Sequence, residues 1–299
     1  MKHWQVKKID TRDNVRTLTH NNFITAKGLT NLSLKARKLL YIAISQCKLN
    51  DDEFYEYEIS IKDFANLMGV ADSNVYHEAD NITNQLMSCI ILCKGKDEKS
   101  FRKYSLFSMC EYEKNGMLYF KLNSDMTSFL LHINKNFSKP LLSDFLKMNS
   151  PYSMALWHLM QREMKSKKPK STDIITFDLS LQEIREVTGI ENKFTKVSDV
   201  KRYVIDKAIR EIYDNCAVKI TYDNIKKGRN IIGFRFSAVN ILHTDEDNIS
   251  QKTKDKITLF TLQQKSIKRA LTHEEKMILE GLNNGTYEMD IKYIPPKKH

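Results

Sequence analysis

Residues 59–70, ISIKDFANLMGV, recur as LSLQEIREVTGI at 179–190, and this repetition constrains the chain more than any other feature. The offset is a constant 120 residues, and Ile59/Leu179, Ser60/Ser180, Ile61/Leu181, Asp63/Glu183, Phe64/Ile184, Leu67/Val187, Gly69/Gly189 and Val70/Ile190 match in type. Each copy reads as a short helix opened by serine, carrying apolar residues at helical spacing and stopped by glycine.

The same elements follow each copy. From Ser73 to about Ser88, Val75, Ala79, Ile82 and Leu86 recur at three- and four-residue spacing. From Ser198 to about Asn215, Val200, Val204, Ala208 and Ile212 do the same and read as an inward stripe. A strand pair comes next. In copy one it is CIILCK and YSLFSMCEY, joined by GKDEKSFRK. In copy two Val218, Ile220 and Tyr222 alternate with polar residues on one flank of a turn, and Ile232, Phe234 and Phe236 on the other.

A helix precedes each unit. NLSLKARKLLYIAISQC (31–47) has Ser33 as its cap, and NSPYSMALWHLMQREM (149–164) has Ser150 as N-cap and Pro151 at the first helical position. Helix, short helix, glycine turn, longer helix and hairpin is the order of a winged helix. The chain is therefore expected to be α+β, with two tandem winged-helix domains (helix-turn-helix plus β-hairpin wing) related by an internal pseudo-repeat. Chance likeness of two amphipathic helices is the plainer alternative, and the matched order of four elements argues against it.

This divides the chain into a flexible N-terminal arm (1–22), a first domain (23–135), a second domain (136–242) and a linker with tail (243–299). One or two short helices are expected over 257–283.

The formal charge of +11 and pI near 9.2 favour an anionic partner, nucleic acid or an acidic membrane surface. No run approaches the ~20 apolar residues of a membrane span. The start, MKHWQVKKIDTRD, lacks the apolar core of a signal peptide. A soluble, cytoplasmic protein without a membrane partner is expected. The five cysteines, 47, 89, 93, 110 and 216, are odd in number and irregularly placed, which suits free thiols in a reducing compartment.

A recognition helix reads the major groove with its N-terminal turns, while phosphate contacts fix its register. In the second domain this selects Lys193, Thr195, Lys196, Ser198, Lys201, Arg202 and Tyr203, with Lys207 and Arg210 further along as phosphate contacts or surface ion pairs. Arg202 is the candidate for guanine, because its fork can pair both acceptors on that edge. Its alternative is a solvated residue paired with Asp199 or Asp206. Lys226, Lys227 and Arg229 at the wing tip would face phosphates, with Gly228 letting the backbone turn.

In the first domain the helix SNVYHEADNITNQL carries no Lys or Arg, and Glu78 and Asp80 oppose a phosphate backbone. Ser73, Asn74, His77, Asn81 and Asn84 are left to read bases. Lys94, Lys96, Lys99, Arg102 and Lys103 supply the charge of its wing. A weaker DNA contact, or a domain given partly to dimerisation, fits this composition, and the second domain is the main DNA-binding element.

Catalytic and cofactor sites are not expected. GRNIIGFR (228–235) has the glycine spacing of a phosphate loop, but Phe234 and Arg235 stand where Lys and Ser/Thr belong. No close histidine pair stands ready for a nickase metal. Cys89, Cys93 and Cys110 lack a fourth zinc ligand. No nucleophile and base come together, so the chain is read as a non-enzyme without cofactor or metal.

Three segments carry a family resemblance: LSLKARKLLYIAISQ near the start, NSPYSMALWHLM opening the second half, and VKRYVIDKAIREIYDNCAVKITYDNIKKGRNIIGFRFSAV at 200–239. Together with the repeat they resemble the iteron-binding replication initiator (Rep) proteins of theta-replicating bacterial plasmids, over roughly residues 23–242. The resemblance implies a DNA-binding initiator of plasmid replication with two winged-helix domains. As a monomer it would bind direct repeats (iterons) at the origin and help open the duplex. As a homodimer, formed mainly through the first domain, it would bind an operator inverted repeat and repress its own gene. It would also recruit the host initiator and replicative helicase. Two other readings stay open: a winged-helix transcriptional regulator without a replication role, and a catalytic replication protein.

Overall fold

A computed structural model describes residues 6–10, 12, 14–48, 51–69, 71, 77–94, 100–133, 136–166, 174–240, 262 and 270–284. The repeated dodecapeptide forms the same structure twice. Ser60 caps helix Ile61–Met68 by accepting from the Asp63 amide, and Ser180 caps Leu181–Thr188 by accepting from Glu183. Each such cap is worth ~1 kcal/mol over alanine. Gly69 and Gly189 end the two helices at φ +66° and +70°.

The strand before each short helix pairs in equivalent register with a later strand. Ser60, Ile59 and Tyr57 face Met117, Leu118 and Phe120. Ser180, Leu179 and Phe177 face Gly233, Phe234 and Phe236. The second unit is a three-stranded antiparallel sheet in the order Val218–Lys227, Asn230–Asn240, Ile175–Ser180. The first is four-stranded, in the order Val6–Lys8, Glu56–Ser60, Met117–Leu122, Phe107–Tyr112.

That equivalence corrects the expected first wing. Ile90–Lys94 pairs with Phe101–Ser105 as a separate two-stranded hairpin, and YSLFSMCEY is two strands rather than one. The chain turns between them at the buried Leu106, whose amide donates to Cys89 O and whose carbonyl accepts from Asn123 N. The hairpin equivalent to the second wing is Phe107–Tyr112 with Met117–Leu122. It ends at the sheet, at Gly116, whereas the second wing runs on past Gly233 to Gly228.

The described part of the N-terminal arm is built into the fold. Val6–Lys8 lies parallel to Glu56–Glu58, and the Gln46 side chain binds the backbone of Asp10 through its N (2.6 Å) and O (3.2 Å). Thr17, Leu18 and Thr19 are buried, and Thr19–His20 pairs with Phe137–Ser138. The start of the segment assigned to the second domain thus closes on residues assigned to the arm. Beyond the second sheet, helix His273–Asn284 overlaps the end of the range 257–283 where tail helices are expected.

The two units share a core. Tyr41 of helix Leu34–Gln46 stacks on Phe145 at 4.0 Å and bonds His158 of helix Pro151–Ser166 at 2.9 Å. The other His158 ring nitrogen meets Thr19 Oγ1 (2.8 Å) and Ser138 Oγ (3.0 Å). The buried Arg37 guanidinium donates to the carbonyls of Leu29 and Pro151, so desolvation of this charge is offset by fixed dipoles. Gly189 abuts Thr30: a Cβ there would lie 2.4 Å from Thr30 Cβ.

Candidate nucleic-acid interface

One side chain ties the helix-turn-helix of the second unit together. Arg185, inside the short helix, reaches over the turn and donates to four carbonyls: Ile190 (3.2 Å), Lys193 (3.0 Å), Phe194 (2.8 Å) and Thr195 (3.3 Å). Phe194 is thereby held at φ +52°, a left-handed conformation that costs a residue with a Cβ ~1 kcal/mol or more. Lys196 then begins the recognition helix, which runs through Val197–Val200, a π turn over Lys201–Ile205, and Asp206–Cys216. The π turn inserts one residue, so Ile205 is buried beside the expected Val200, Val204, Ala208 and Ile212.

The polar candidates of this unit share the open face. Lys193, Thr195, Lys196, Ser198, Arg202, Lys207 and Arg210 are exposed, Lys201 is half-buried, and Tyr203 is 45% exposed. The recognition helix is tied to the wing at two points. Lys201 Nζ lies 5.6 Å from the Tyr222 ring and 5.9 Å from Phe234, and Tyr222 donates its hydroxyl to Asp206 Oδ1 at 2.8 Å. Asp206 is therefore engaged by the wing, and Arg202 forms no ion pair with a described carboxylate.

The wing tip carries Lys226, Lys227, Gly228 and Arg229, all exposed. Gly228 has φ +62° at the first position of a two-residue turn, the place where such hairpins call for glycine. A bulge between Ile225 and Lys226 leaves Ile232 unpaired and 46% exposed, so it departs from the inward alternation of Phe234 and Phe236. Gly233 beside it allows the close approach of Leu179, whose carbonyl oxygen would sit 2.6 Å from a Cβ.

The first unit differs. Its recognition helix is described over Ala79–Met87, with His77 exposed just before it; Ser73 and Asn74 lie outside the described residues. Glu78 is paired with Lys35 at 2.6 Å, which removes part of the expected repulsion from phosphate. Asn84 donates to Asp80, and Asn81 accepts from Gln85, so these two side chains are tied along the helix. On the separate hairpin Arg102 and Lys103 are exposed, at 3.4 Å from Tyr104 Oη and 5.4 Å from the Phe101 ring centre, respectively. Only the backbone of Lys94 is described, and Lys96 and Lys99 lie outside the described residues.

Arg185, Phe194 and the Asp206–Tyr222 link were not singled out by sequence reasoning. A charged residue inside a short amphipathic helix reads as solvated surface. The only signal at Phe194 is an aromatic residue in an otherwise polar turn.

Two family profiles match this chain. One, described as initiator replication protein, WH1, matches residues 17–161, and one described as initiator Rep protein, WH2, matches residues 180–238. The chain is 24% identical over 263 residues to the PI protein of Escherichia coli, covering 78% of this chain and 85% of that one. In fold it is similar to the Pi initiator protein, solved in complex with iteron DNA, with a TM-score of 0.66 at 20% identity over 77% of this chain and 99% of that one.

Proposed function

The chain belongs to the initiator replication protein family, and from that premise we propose that it starts replication of a bacterial plasmid by binding direct DNA repeats at the origin. The observation that carries this reading is the second unit's helix and wing. A clamped turn, an open polar helix face and a basic wing tip are joined through Tyr222 and Asp206. Thr195, just before the helix, and helix residues Ser198 and Arg202 read the major groove, while Lys196, Lys201 and the wing residues Lys226, Lys227 and Arg229 hold phosphates. Lys193, Lys207 and Arg210 add charge along the flanks.

The first unit makes a lighter DNA contact and forms the dimer that represses the chain's own gene at an inverted repeat. Recruitment of the host initiator and helicase follows duplex opening. The chain acts as a binding protein in the cytoplasm, without chemistry of its own. Among the described residues no helix is long and apolar enough to cross a membrane.

A plasmid whose sole origin is the repeat array flanking this gene tests the proposal. It should replicate when the protein is supplied, and should fail when Arg202 and Lys226 are both alanine. Replication that persists with the array deleted would refute it.

A further inference from the structure

Three side chains from two segments form a column at the start of the recognition helix. The Phe194 and Tyr203 rings are stacked, with centroids 5.5 Å apart and an angle of 22° between planes. The Arg202 guanidinium carbon lies 5.3 Å from the Tyr203 ring centre. Below the column Tyr152 meets Phe194 edge-on at 6.4 Å, and Arg185 holds the Phe194 carbonyl at 2.8 Å. The base of the column is anchored from two elements, and its end is open: Tyr203 and Arg202 are both exposed.

An exposed arginine ordinarily loses rotamer freedom when it engages a ligand. A guanidinium 5.3 Å from a ring centre lies within cation–π range, a contact that narrows its freedom and uses the ring face rather than the N–H donors. A planar fork with its donors free matches two acceptors side by side. On a B-form duplex that pattern is the O6 and N7 edge of guanine in the major groove.

We propose that Phe194 and Tyr203 are positioning residues that hold Arg202 in register for one guanine, making this column a specificity device of the second unit. It rests on the proposed function, since it requires that this helix enters a groove. Arg185 contributes by holding Phe194 in its left-handed conformation.

The test uses the full chain and a duplex carrying one of the repeats flanking its own gene. Each guanine is replaced in turn by 7-deazaguanine, which removes N7 alone. Wild type should lose about tenfold in affinity at one position, the scale of a broken bidentate pair. Arg202→Ala should abolish that sensitivity. Tyr203→Leu and Phe194→Leu should shrink it to about twofold, while Tyr203→Phe, which keeps the ring, retains it. Thermal midpoints show whether each variant is folded, and Tyr203→Leu, at a position 45% exposed, keeps the test decisive if Phe194→Leu is not.

If Tyr203→Leu weakens every duplex equally with the tenfold penalty intact, the column is only packing and the inference is overturned. If no position's penalty depends on Arg202, that residue is a phosphate contact and the inference is likewise overturned, with repeat binding untouched. Wild type that binds repeat and shuffled duplex alike would instead remove the proposed function itself, and the inference with it.

Discussion

The Tyr222 hydroxyl donates to Asp206 Oδ1 at 2.8 Å, and this bond joins the wing to the recognition helix. Burial and the neighbouring carboxylate push the phenol's pKa up, so it remains a donor throughout the neutral range. Tyr222→Phe keeps the ring contacts with Phe234 and Phe236 and removes only the bond. Stability should fall by about 1 kcal/mol in denaturant titrations, because Asp206 is exposed and regains water. Affinity for the repeats should fall several-fold, since the wing is no longer held to the helix. An unchanged affinity would show that wing and helix act separately.

Gly69 and Gly189 occupy equivalent places in the repeat, yet they face different surroundings. Both have positive φ, but a Cβ on Gly69 meets none of the described residues within 4 Å, and one on Gly189 collides with Thr30. Gly69→Ala should cost about 1–2 kcal/mol, the left-handed penalty alone. Gly189→Ala adds overpacking at the seam between units and should cost about 2–4 kcal/mol. Chemical denaturation of the two variants side by side checks the difference. Equal losses would mean that the seam yields freely.

Acid should loosen the shared core through His158. Burial first, then the charges of Arg162 and Arg37, hold its pKa down to about 3 from an ordinary 6.5. The unfolded chain therefore takes up this proton first as pH falls. The stability is complete above 6.5 and is lost toward 3, at up to about 1.4 kcal/mol per pH unit. Asp144 works oppositely. Burial raises it from 3.8 to about 6, despite the Trp157 indole bond, so its contribution is complete below 3.8 and is lost as pH rises through 6. The two oppose each other over that interval. His158→Gln should flatten the acid limb of stability against pH, and Asp144→Asn should steepen it. Parallel curves for wild type and both variants would contradict this assignment.

How much of this was legible in the sequence depends on the kind of signal. The repeat, the serine caps and the glycine stops were legible because each is a local requirement of backbone chemistry, and Ser60 and Ser180 cap as expected. The first wing was misread because period-two alternation marks a strand without naming its partner. One residue, Leu106, separates Phe101–Ser105 from Phe107–Tyr112, and the change of sheet leaves the pattern intact. Val6–Lys8 escaped notice because three mostly basic residues carry no strand pattern, and their pairing comes from the edge of Glu56–Ser60. At the site, composition showed the exposed cations of the second unit but not their supports. Arg185 acts through four carbonyls, and Phe194 holds a conformation usually marked by glycine or asparagine.

The central claim, specific recognition by the second unit's helix and wing, is tested most directly by titrating the full chain against the repeats flanking its gene and against a shuffled duplex at several salt concentrations. The account predicts tight binding to the repeats alone, with Lys226→Ala and Arg229→Ala each weakening it and flattening the salt slope by about 0.9 for each lost phosphate contact. Equal, weak binding to both duplexes, with the two variants indistinguishable from wild type, would contradict it.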